Sequence, residues 1–162
     1  MAEYLDVIDE NGNLTGEIVD RKVAHYEGIR HRAAHLWLVR NKDRKIQVLL
    51  QKRSSIKEAF PNCYDISCAG HVPAGEDFEI TAIRELKEEL GIHVNKNDLI
   101  FCGDRNVVWD GEFKGKPFKD RQHSKVFMIW LDLEENEFVL DHKEVESVRW
   151  IDLEQCIECV KD

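Results

Sequence analysis

The sequence lacks any long hydrophobic run, because no apolar stretch approaches the ~20 residues that a membrane-spanning helix needs. It begins Met1-Ala2-Glu3 and continues into an alternating, strand-like pattern, without the basic segment and apolar stretch of a signal peptide. We therefore expect a cytoplasmic protein that does not bind membranes.

Cysteines are few and odd in number, since the chain holds five. In a chain expected to be cytosolic, where thiols stay reduced, this argues against a disulfide framework. Cys156 and Cys159 can be combined with Cys63 and Cys68 into a zinc site, but the spacing is irregular and the late pair falls on a predicted helix. Ordinary, partly buried thiols are the better interpretation.

Basic residues are fewer than acidic ones, and the formal net charge is −9. Nucleic-acid binders usually show the opposite balance, so we expect no nucleic acid polymer as partner, whereas a small anion can bind through metal ions. With 162 residues, of which 43% are hydrophobic and 34% charged, the chain has the size and composition of one globular domain. We take residues 1–162 as that domain, and a homodimer stays open.

Hydrophobic periodicity predicts strands before, between and after helices, which fits an α/β sandwich with a mixed sheet. A tight Asn11-Gly12 turn joins the first two strands. The predicted strands are 5–9, 14–19, 33–39, 46–51, 64–68, 126–133 and 147–151, and the predicted helices are 20–26 closed by Gly28, 77–90 closed by Gly91, and a last one capped by Asp152.

The segment 103–121 mixes charges and aromatics with Gly111, Gly115 and Pro117. This composition predicts a long loop or an irregular hairpin. Loops of that length are often functional, but a solvated connection fits equally well.

One stretch carries a fixed pattern of glycine, glutamate and arginine: Gly70-x5-Glu76-x7-Arg84-Glu85-Leu86-x-Glu88-Glu89-x-Gly91-Ile92. Its specified residues should coincide by chance with a probability on the order of 10⁻⁸ per starting position. Chance is therefore no serious explanation.

On a helix, this stretch separates an apolar face from an acidic one. The apolar face holds Ile83, Leu86 and Leu90, and the opposite side holds three carboxylates: Glu85, Glu88 and Glu89. Like charges at these spacings cost roughly 0.2–0.5 kcal/mol per pair, so the cluster needs full solvation or a cation. Hard oxygen ligands favour Mg²⁺ or Mn²⁺. The alternative is a solvated, glutamate-rich helix.

The pattern resembles the Nudix box at every specified position. The resemblance implies a Nudix-type α/β/α sandwich with its box at 70–92, and a hydrolase that uses Mg²⁺ (or Mn²⁺) to cleave the phosphoanhydride bond of a small diphosphate-containing metabolite. The products would be two phosphorylated fragments.

The same resemblance implies roles for single residues. The carbonyl of Gly70 and the glutamates Glu85, Glu88 and Glu89 match metal-binding and water-activating positions. Arg84 would orient the neighbouring carboxylates, with Glu76 as its partner. Glu144 matches a base that often stands ahead of the last strand, with Glu146 as its rival, and the alternative for both is a solvated carboxylate.

Beyond the box, the chain is similar to the Nudix branch that contains isopentenyl-diphosphate isomerase. The matching landmarks are Asp6-Val7-Ile8-Asp9, Thr15-Gly16, His31-Arg32-Ala33, Lys52-Arg53, Lys57, Pro61 and Gly70-His71. The likeness implies metal ligands at His31 and His71, less securely at His25, and substrate contacts at Arg53, Lys57 and His71. For each histidine taken singly, a surface or hydrogen-bonded imidazole is the alternative.

Two departures from the isomerase favour hydrolysis. Ala69 stands where the isomerase has its cysteine acid, and Gln122 stands where it has a glutamate. Cys68 is one residue away, but on an extended segment it points to the opposite face. The isomerase stays the alternative, and a catalytically idle binding module is disfavoured because no motif glutamate is lost. The sequence leaves open whether a nucleoside, sugar nucleotide or isoprenoid carries the diphosphate.

Overall fold

The computed structural model describes residues 2–161, which form nine strands and three α-helices. The strands are β1 (Tyr4–Ile8), β2 (Leu14–Asp20), β3 (His31–Lys42), β4 (Lys45–Arg53), β5 (Tyr64–Asp65), β6 (Cys68–His71), β7 (Ile100–Phe113), β8 (Lys116–Trp130) and β9 (Val145–Asp152); the helices are α1 (Arg21–Glu27), α2 (Phe78–Leu90) and α3 (Leu153–Cys159). None of the helices in this range is both long and apolar enough to cross a membrane.

The central sheet is mixed, as predicted. Its strands lie in the order β5-β4-β3-β8-β7, with β6 paired to β3 and β9 paired to β4. The β3–β8 pair is parallel and the other pairs are antiparallel. β1 and β2 form a separate hairpin. An antiparallel β-bridge joins its Leu5, which is fully buried, to Pro73, just after β6.

Both faces of the sheet are covered, because alternate residues of a strand point to opposite sides. Leu36 and Leu49 pack in the core that includes Leu86 of α2. Val39 and Val48 pack in a second core with Cys156 of α3. Burying a leucine fully is worth roughly 1.5–3 kcal/mol, so the two cores fix α2 and α3 on the sheet. The α/β sandwich predicted from the sequence is confirmed.

Helix α2 has well-defined ends, which places its side chains accurately. The Asp77 carboxylate accepts a hydrogen bond from the Ile80 amide (2.9 Å), and Gly91 ends the helix at φ 71°. An N-cap of this kind is worth about 1 kcal/mol. Gly91 suits a left-handed backbone that other residues rarely adopt.

Two predicted elements differ in detail. The segment 64–68 is split between β5 and β6. Of the two alternatives for 103–121, the hairpin is confirmed, because the segment is part of a long β7–β8 hairpin that turns at Lys114 and Gly115. The many charged residues of this hairpin hide the alternation of apolar and polar residues that would predict strands from the sequence. Asp152 stands at the N-cap of α3 without capping it, since its carboxylate instead accepts from Lys45 and Gln47.

Candidate functional site

A cleft of about 660 Å³ lies between α2, β6, the β7–β8 hairpin and the loop that follows β4. Three glutamates of α2, which we call the glutamate patch, line it: Glu85, Glu88 and Glu89. The structure thus brings together the carboxylates that the sequence predicts to act jointly.

The three glutamates of the patch differ in solvent exposure. This corrects the prediction that all three lie on the side of the helix opposite the apolar face. The Glu88 side chain is 56% exposed, whereas Glu89 is only 8% exposed. Strands β4 and β6 cover Glu89, which accepts a hydrogen bond from Gln51 Nε2 (3.0 Å) and lies 3.5 Å from Cys68 Sγ. Glu89 therefore belongs to the buried side of the helix, next to the apolar face.

Gly70 is required by close packing against the patch. A Cβ atom at this position would lie 2.6 Å from Cγ and Cδ of Glu85. Only glycine lets the Glu85 side chain cross β6 at this distance. The motif's glycine and its first helical glutamate are therefore neighbours in space.

Arg84 links the patch to the loop ahead of α2. Its guanidinium donates to Oε1 of Glu76 (3.0 Å) and to Oε1 of Glu85 (3.1 Å), and it lies 3.6 Å from Oε2 of Glu88. Glu76 also accepts from the Thr81 hydroxyl at 2.7 Å. The predicted contact between Arg84 and Glu76 is present, and it holds the guanidinium beside two patch carboxylates.

Burial makes the inner carboxylates hard to ionise. It raises the pKa of Glu89 to about 8, against an ordinary value of 4.5, and it also raises the pKa of Glu85. Burial and the neighbouring Glu89 raise the pKa of the Cys68 thiol well above its usual range. This corner of the cleft favours a bound cation, because a cation stabilises the ionised carboxylates.

The predicted phosphate contacts are Arg53, at the end of β4, and Lys57, in the loop that follows it. Lys57 pairs with Glu144, and both line the cleft. Arg53 also lines it, but Nε and Nη2 donate to the Ala59 carbonyl at 3.1 and 2.9 Å. Glu146, the rival of Glu144, is not among the residues of 2–161 that line the cleft, and it pairs with Lys52 at 3.4 Å.

A second group of side chains, which we call the histidine cluster, consists of His25, His31 and His71. Their ligand atoms lie within 4.8 Å of one another. His25 comes from α1, His31 begins β3 and His71 ends β6. Burial lowers the pKa of His31, and that of His71 well below its usual range, which favours the neutral form of both imidazoles. Within residues 2–161, no such cluster includes the four cysteines considered above.

The histidine cluster contains buried polar atoms without hydrogen-bond partners. They are Nε2 of His25, Nε2 of His31 and Oδ1 of Asp120, which lies 3.7 Å from each nitrogen. His31 Nδ1 is 2.9 Å from the Ile29 carbonyl and must donate to it, which leaves the lone pair on Nε2. Buried polar atoms are normally satisfied, so this arrangement fits a cation.

The residue at the position of the isomerase's acid is Ala69. As predicted for an extended strand, Ala69 and Cys68 point to opposite faces of β6. Ala69 lines the cleft, whereas Cys68 is 1% exposed and packs in the core. Gln122 lines the cleft as well.

Sequence reasoning missed Asp120, Gln51 and the aromatic residues of the hairpin. Asp120 could have been found, because it precedes Gln122 by two residues and so shares its face of the strand. Gln51 gave no signal, since an amide on a buried strand has no motif around it.

Comparison with known proteins gives a family match over most of the chain. The NUDIX domain matches residues 29–161. An uncharacterized Nudix hydrolase of Clostridium acetobutylicum is 34% identical over 94% of this chain and 71% of its own length. An isopentenyl-diphosphate Delta-isomerase of Aliivibrio fischeri is 26% identical over 93% of this chain and 80% of its own length.

Two solved structures share the fold. A protein from Deinococcus radiodurans has a TM-score of 0.70 at 20% identity and covers 98% of this chain and 88% of that one. An Ap4A hydrolase from C. elegans, solved as a binary complex, has a TM-score of 0.53 at 31% identity and covers 78% of this chain and 83% of that one.

Proposed function

This chain belongs to the Nudix family, in the branch similar to isopentenyl-diphosphate isomerase, and we propose that it hydrolyses the phosphoanhydride bond of a small diphosphate-containing metabolite with Mg²⁺ or Mn²⁺. The observation that carries the proposal is the convergence of Glu85, Glu88 and Glu89 with Gly70 in one cleft. Nudix hydrolases are pyrophosphohydrolases, and we take residues 1–162 as a single Nudix domain.

We assign the metal to the glutamate patch and the Gly70 carbonyl. The residues fit a hard divalent cation, since they offer oxygen ligands only and burial raises the pKa of Glu85 and Glu89. When bound, such a cation neutralises the diphosphate and acidifies a water. Arg84 keeps the patch carboxylates oriented through its bonds to Glu76 and Glu85.

We assign the general base to Glu144 rather than Glu146, because Glu144 faces the cleft. Lys57 pairs with Glu144, so Lys57 both positions this carboxylate and adds positive charge to the cleft. The base would take the proton of the attacking water, and Lys57 with Arg53 and His71 would contact the diphosphate.

We assign a second cation to the histidine cluster, with Asp120 as a fourth ligand. Imidazole nitrogens with one carboxylate suit a transition metal such as Zn²⁺ better than Mg²⁺. The unpaired Nε2 atoms of His25 and His31 support this assignment.

The runner-up is isopentenyl-diphosphate isomerisation. The isomerase relative favours it, and so does the histidine cluster at the positions that the resemblance implies. Against it, the cleft presents Ala69 in place of an acid, and Gln122 in place of a glutamate. The likeness to an Ap4A hydrolase supports nucleotides among the candidate substrates.

A substrate panel tests the proposal. Nucleoside diphosphates, nucleotide sugars and isoprenoid diphosphates would be incubated with the protein and Mg²⁺, followed by phosphate-release and product analysis. We expect turnover of at least one member, cleavage between two phosphorus atoms, and loss of turnover with a chelator. Absence of turnover across the panel in Mg²⁺ and Mn²⁺ would overturn the proposal, and so would isomerisation without hydrolysis.

A further inference from the structure

The loop ahead of α2, residues 72–77, contacts the N-terminal hairpin formed by β1 and β2. This loop follows β6 and ends with Glu76 and the helix cap Asp77. The hairpin lies ahead of the span 29–161 that the NUDIX domain matches. Contacts between the hairpin and the loop therefore connect the glutamate patch to residues that the box does not contain.

Two consecutive amides of the loop donate to β1. Ala74 N donates to the Tyr4 carbonyl at 2.9 Å, and Gly75 N donates to Oδ2 of Asp6 at 2.9 Å. Gly75 has a φ of 82°, which glycine adopts without strain, so its amide can turn towards β1 directly before Glu76. Of these two acceptors, only the Asp6 carboxylate can be removed by a substitution.

Asp6 is itself held in place by an ion pair. The same oxygen, Oδ2, lies 2.7 Å from Nη2 of Arg32, whose side chain is only 9% exposed. The Arg32 guanidinium lies over the ring of Phe78, the first residue of α2, at 5.4 Å from the ring centroid. Hydrogen bonds between two ionised groups are stronger than neutral ones, so Asp6 is fixed relative to β3 and to the start of α2.

The residue after Gly75 reaches the glutamate patch. Oε1 of Glu76 accepts from Nη2 of Arg84 at 3.0 Å, and Nη1 of Arg84 donates to Glu85 at 3.1 Å. A chain of contacts thus runs from Asp6 through the loop to a carboxylate of the patch. A displacement of the Gly75 backbone would move Glu76 with it, and Arg84 would lose the acceptor that orients its guanidinium.

Resting on the proposed metal site of the hydrolase, we propose that Asp6 is a positioning residue: through the Gly75 amide it fixes the loop ahead of α2, and thereby keeps Glu76 and Arg84 aligned with the carboxylates of the patch. The N-terminal hairpin is then part of the functional site, although it supplies no ligand to the patch. Groups behind metal ligands orient the ligands and so change the affinity for the ion.

The test compares the metal affinity of two substitutions at Asp6. Mn²⁺ binding would be followed by electron paramagnetic resonance of the free ion, and the patch site is defined as the site that Glu88→Gln removes. Asp6→Ala removes the acceptor of the Gly75 amide and should weaken this site about three- to tenfold, less than the 10–100-fold typical of a group that contacts a ligand directly. Asp6→Asn should stay within about twofold of wild type, because an amide oxygen in the place of Oδ2 accepts both hydrogen bonds.

Two further variants separate positioning from a general loss of stability. Asp9→Ala removes a carboxylate from the same hairpin, where it accepts from the amides of Asn11 and Asn13 at 2.8 and 2.9 Å, and should keep the wild-type Mn²⁺ affinity. Asp6→Ala combined with Arg32→Met leaves no buried, unpaired guanidinium that would destabilise the fold, and should weaken Mn²⁺ binding as much as Asp6→Ala does. Wild-type affinity in this double variant would overturn the proposal.

A double-mutant cycle tests whether Asp6 acts through Glu76. Glu76→Ala breaks the chain of contacts, so adding Asp6→Ala should weaken Mn²⁺ binding by less than about twofold more, whereas the two losses of thermal stability should add. Losses of affinity that multiply in the double variant would show that Asp6 acts on the fold as a whole, and they would also overturn the proposal.

The metal measurement keeps this proposal distinguishable from the proposed hydrolysis. If no diphosphate is hydrolysed but Asp6→Ala weakens the patch site and Asp6→Asn does not, the positioning role stands and the hydrolysis fails. If diphosphates are hydrolysed and Asp6→Ala keeps the wild-type Mn²⁺ affinity, the hydrolysis stands and the positioning role is overturned. A wild-type protein without a Mn²⁺ site at the patch would overturn both.

Discussion

The glutamate patch and the histidine cluster are two candidate cation sites built in opposite ways. The patch comes from five consecutive positions of one helix, 85–89, and the helix geometry alone brings its members together. The cluster needs α1, β3 and β6 to meet, and Asp120 of β8 completes it. The first can be predicted from local spacing, whereas the second exists only after the sheet has formed.

Their electrostatics differ as well. In the patch, carboxylates are held close together and burial raises the pKa of the inner ones, so the site gains most from a divalent cation. In the cluster, burial lowers the pKa of His31 and His71, so neutral imidazoles offer lone pairs. We expect the patch to carry the chemistry and the cluster to bind a softer cation beside it.

The largest effect should follow from Glu88→Gln or Glu89→Gln, each of which removes one charged ligand of the patch at nearly constant volume. Turnover should be abolished, with a loss above about a hundredfold, because even changes behind a metal ligand cost 10–100-fold. Steady-state kinetics measures this, and circular dichroism should show a retained fold.

Glu79→Gln is the matched control, because Glu79 lies in the first turn of the same helix and outside the cleft lining. It should keep wild-type turnover. Near-wild-type activity in both patch variants would remove the patch from the chemistry.

The cluster should respond through metal content rather than turnover. In His25→Asn or His71→Asn, we expect bound Zn²⁺ per chain to fall at least tenfold by elemental analysis, since one of three imidazoles is lost. Hydrolysis in saturating Mg²⁺ should fall much less than in the patch variants. His93→Asn, at an exposed histidine, is the control. Unchanged metal content in both variants would contradict the assignment.

A smaller effect is expected from Arg53→Ala and Lys57→Ala. Losing one charge-assisted phosphate contact costs roughly 1.5–3 kcal/mol, so KM should rise about ten- to a hundredfold. Because Lys57 pairs with Glu144, its removal should also lower kcat, which Arg53→Ala should do less. Lys52→Ala is the control, since Lys52 pairs with Glu146 instead. Unchanged kinetics would place both residues outside the substrate's reach.

The features that the sequence predicts depend on local spacing, whereas the features that it misses depend on contacts between distant segments. The run Gly70–Ile92 specified its helix, its caps and its carboxylates, because each depends on neighbours within a few turns. It did not show that Glu89 is buried, since the covering Gln51 and Cys68 come from other strands. The aromatic residues Trp109 and Phe118 were missed for another reason: the charges between them masked the period of two, so the segment 103–121 fitted a loop as well as an irregular hairpin.

The smallest effect should follow from Cys68→Ala, and it separates the hydrolase from the isomerase. Protonating an alkene needs a proton donor within reach of the substrate carbon, and the Ala69 methyl group that lines the cleft has none to give. Cys68 lies beside Glu89 and is only 1% exposed, so its side chain does not face the cleft. Its raised pKa keeps it in the thiol form. We therefore expect no deuterium exchange into isopentenyl diphosphate or its dimethylallyl isomer in heavy water, measured by mass spectrometry, and diphosphate hydrolysis by Cys68→Ala within a few-fold of wild type. Exchange that vanishes in Cys68→Ala would show that this thiol reaches the substrate, and the glutamate patch would then have to be reassigned from hydrolysis to holding the cation that binds the diphosphate of an isomerase.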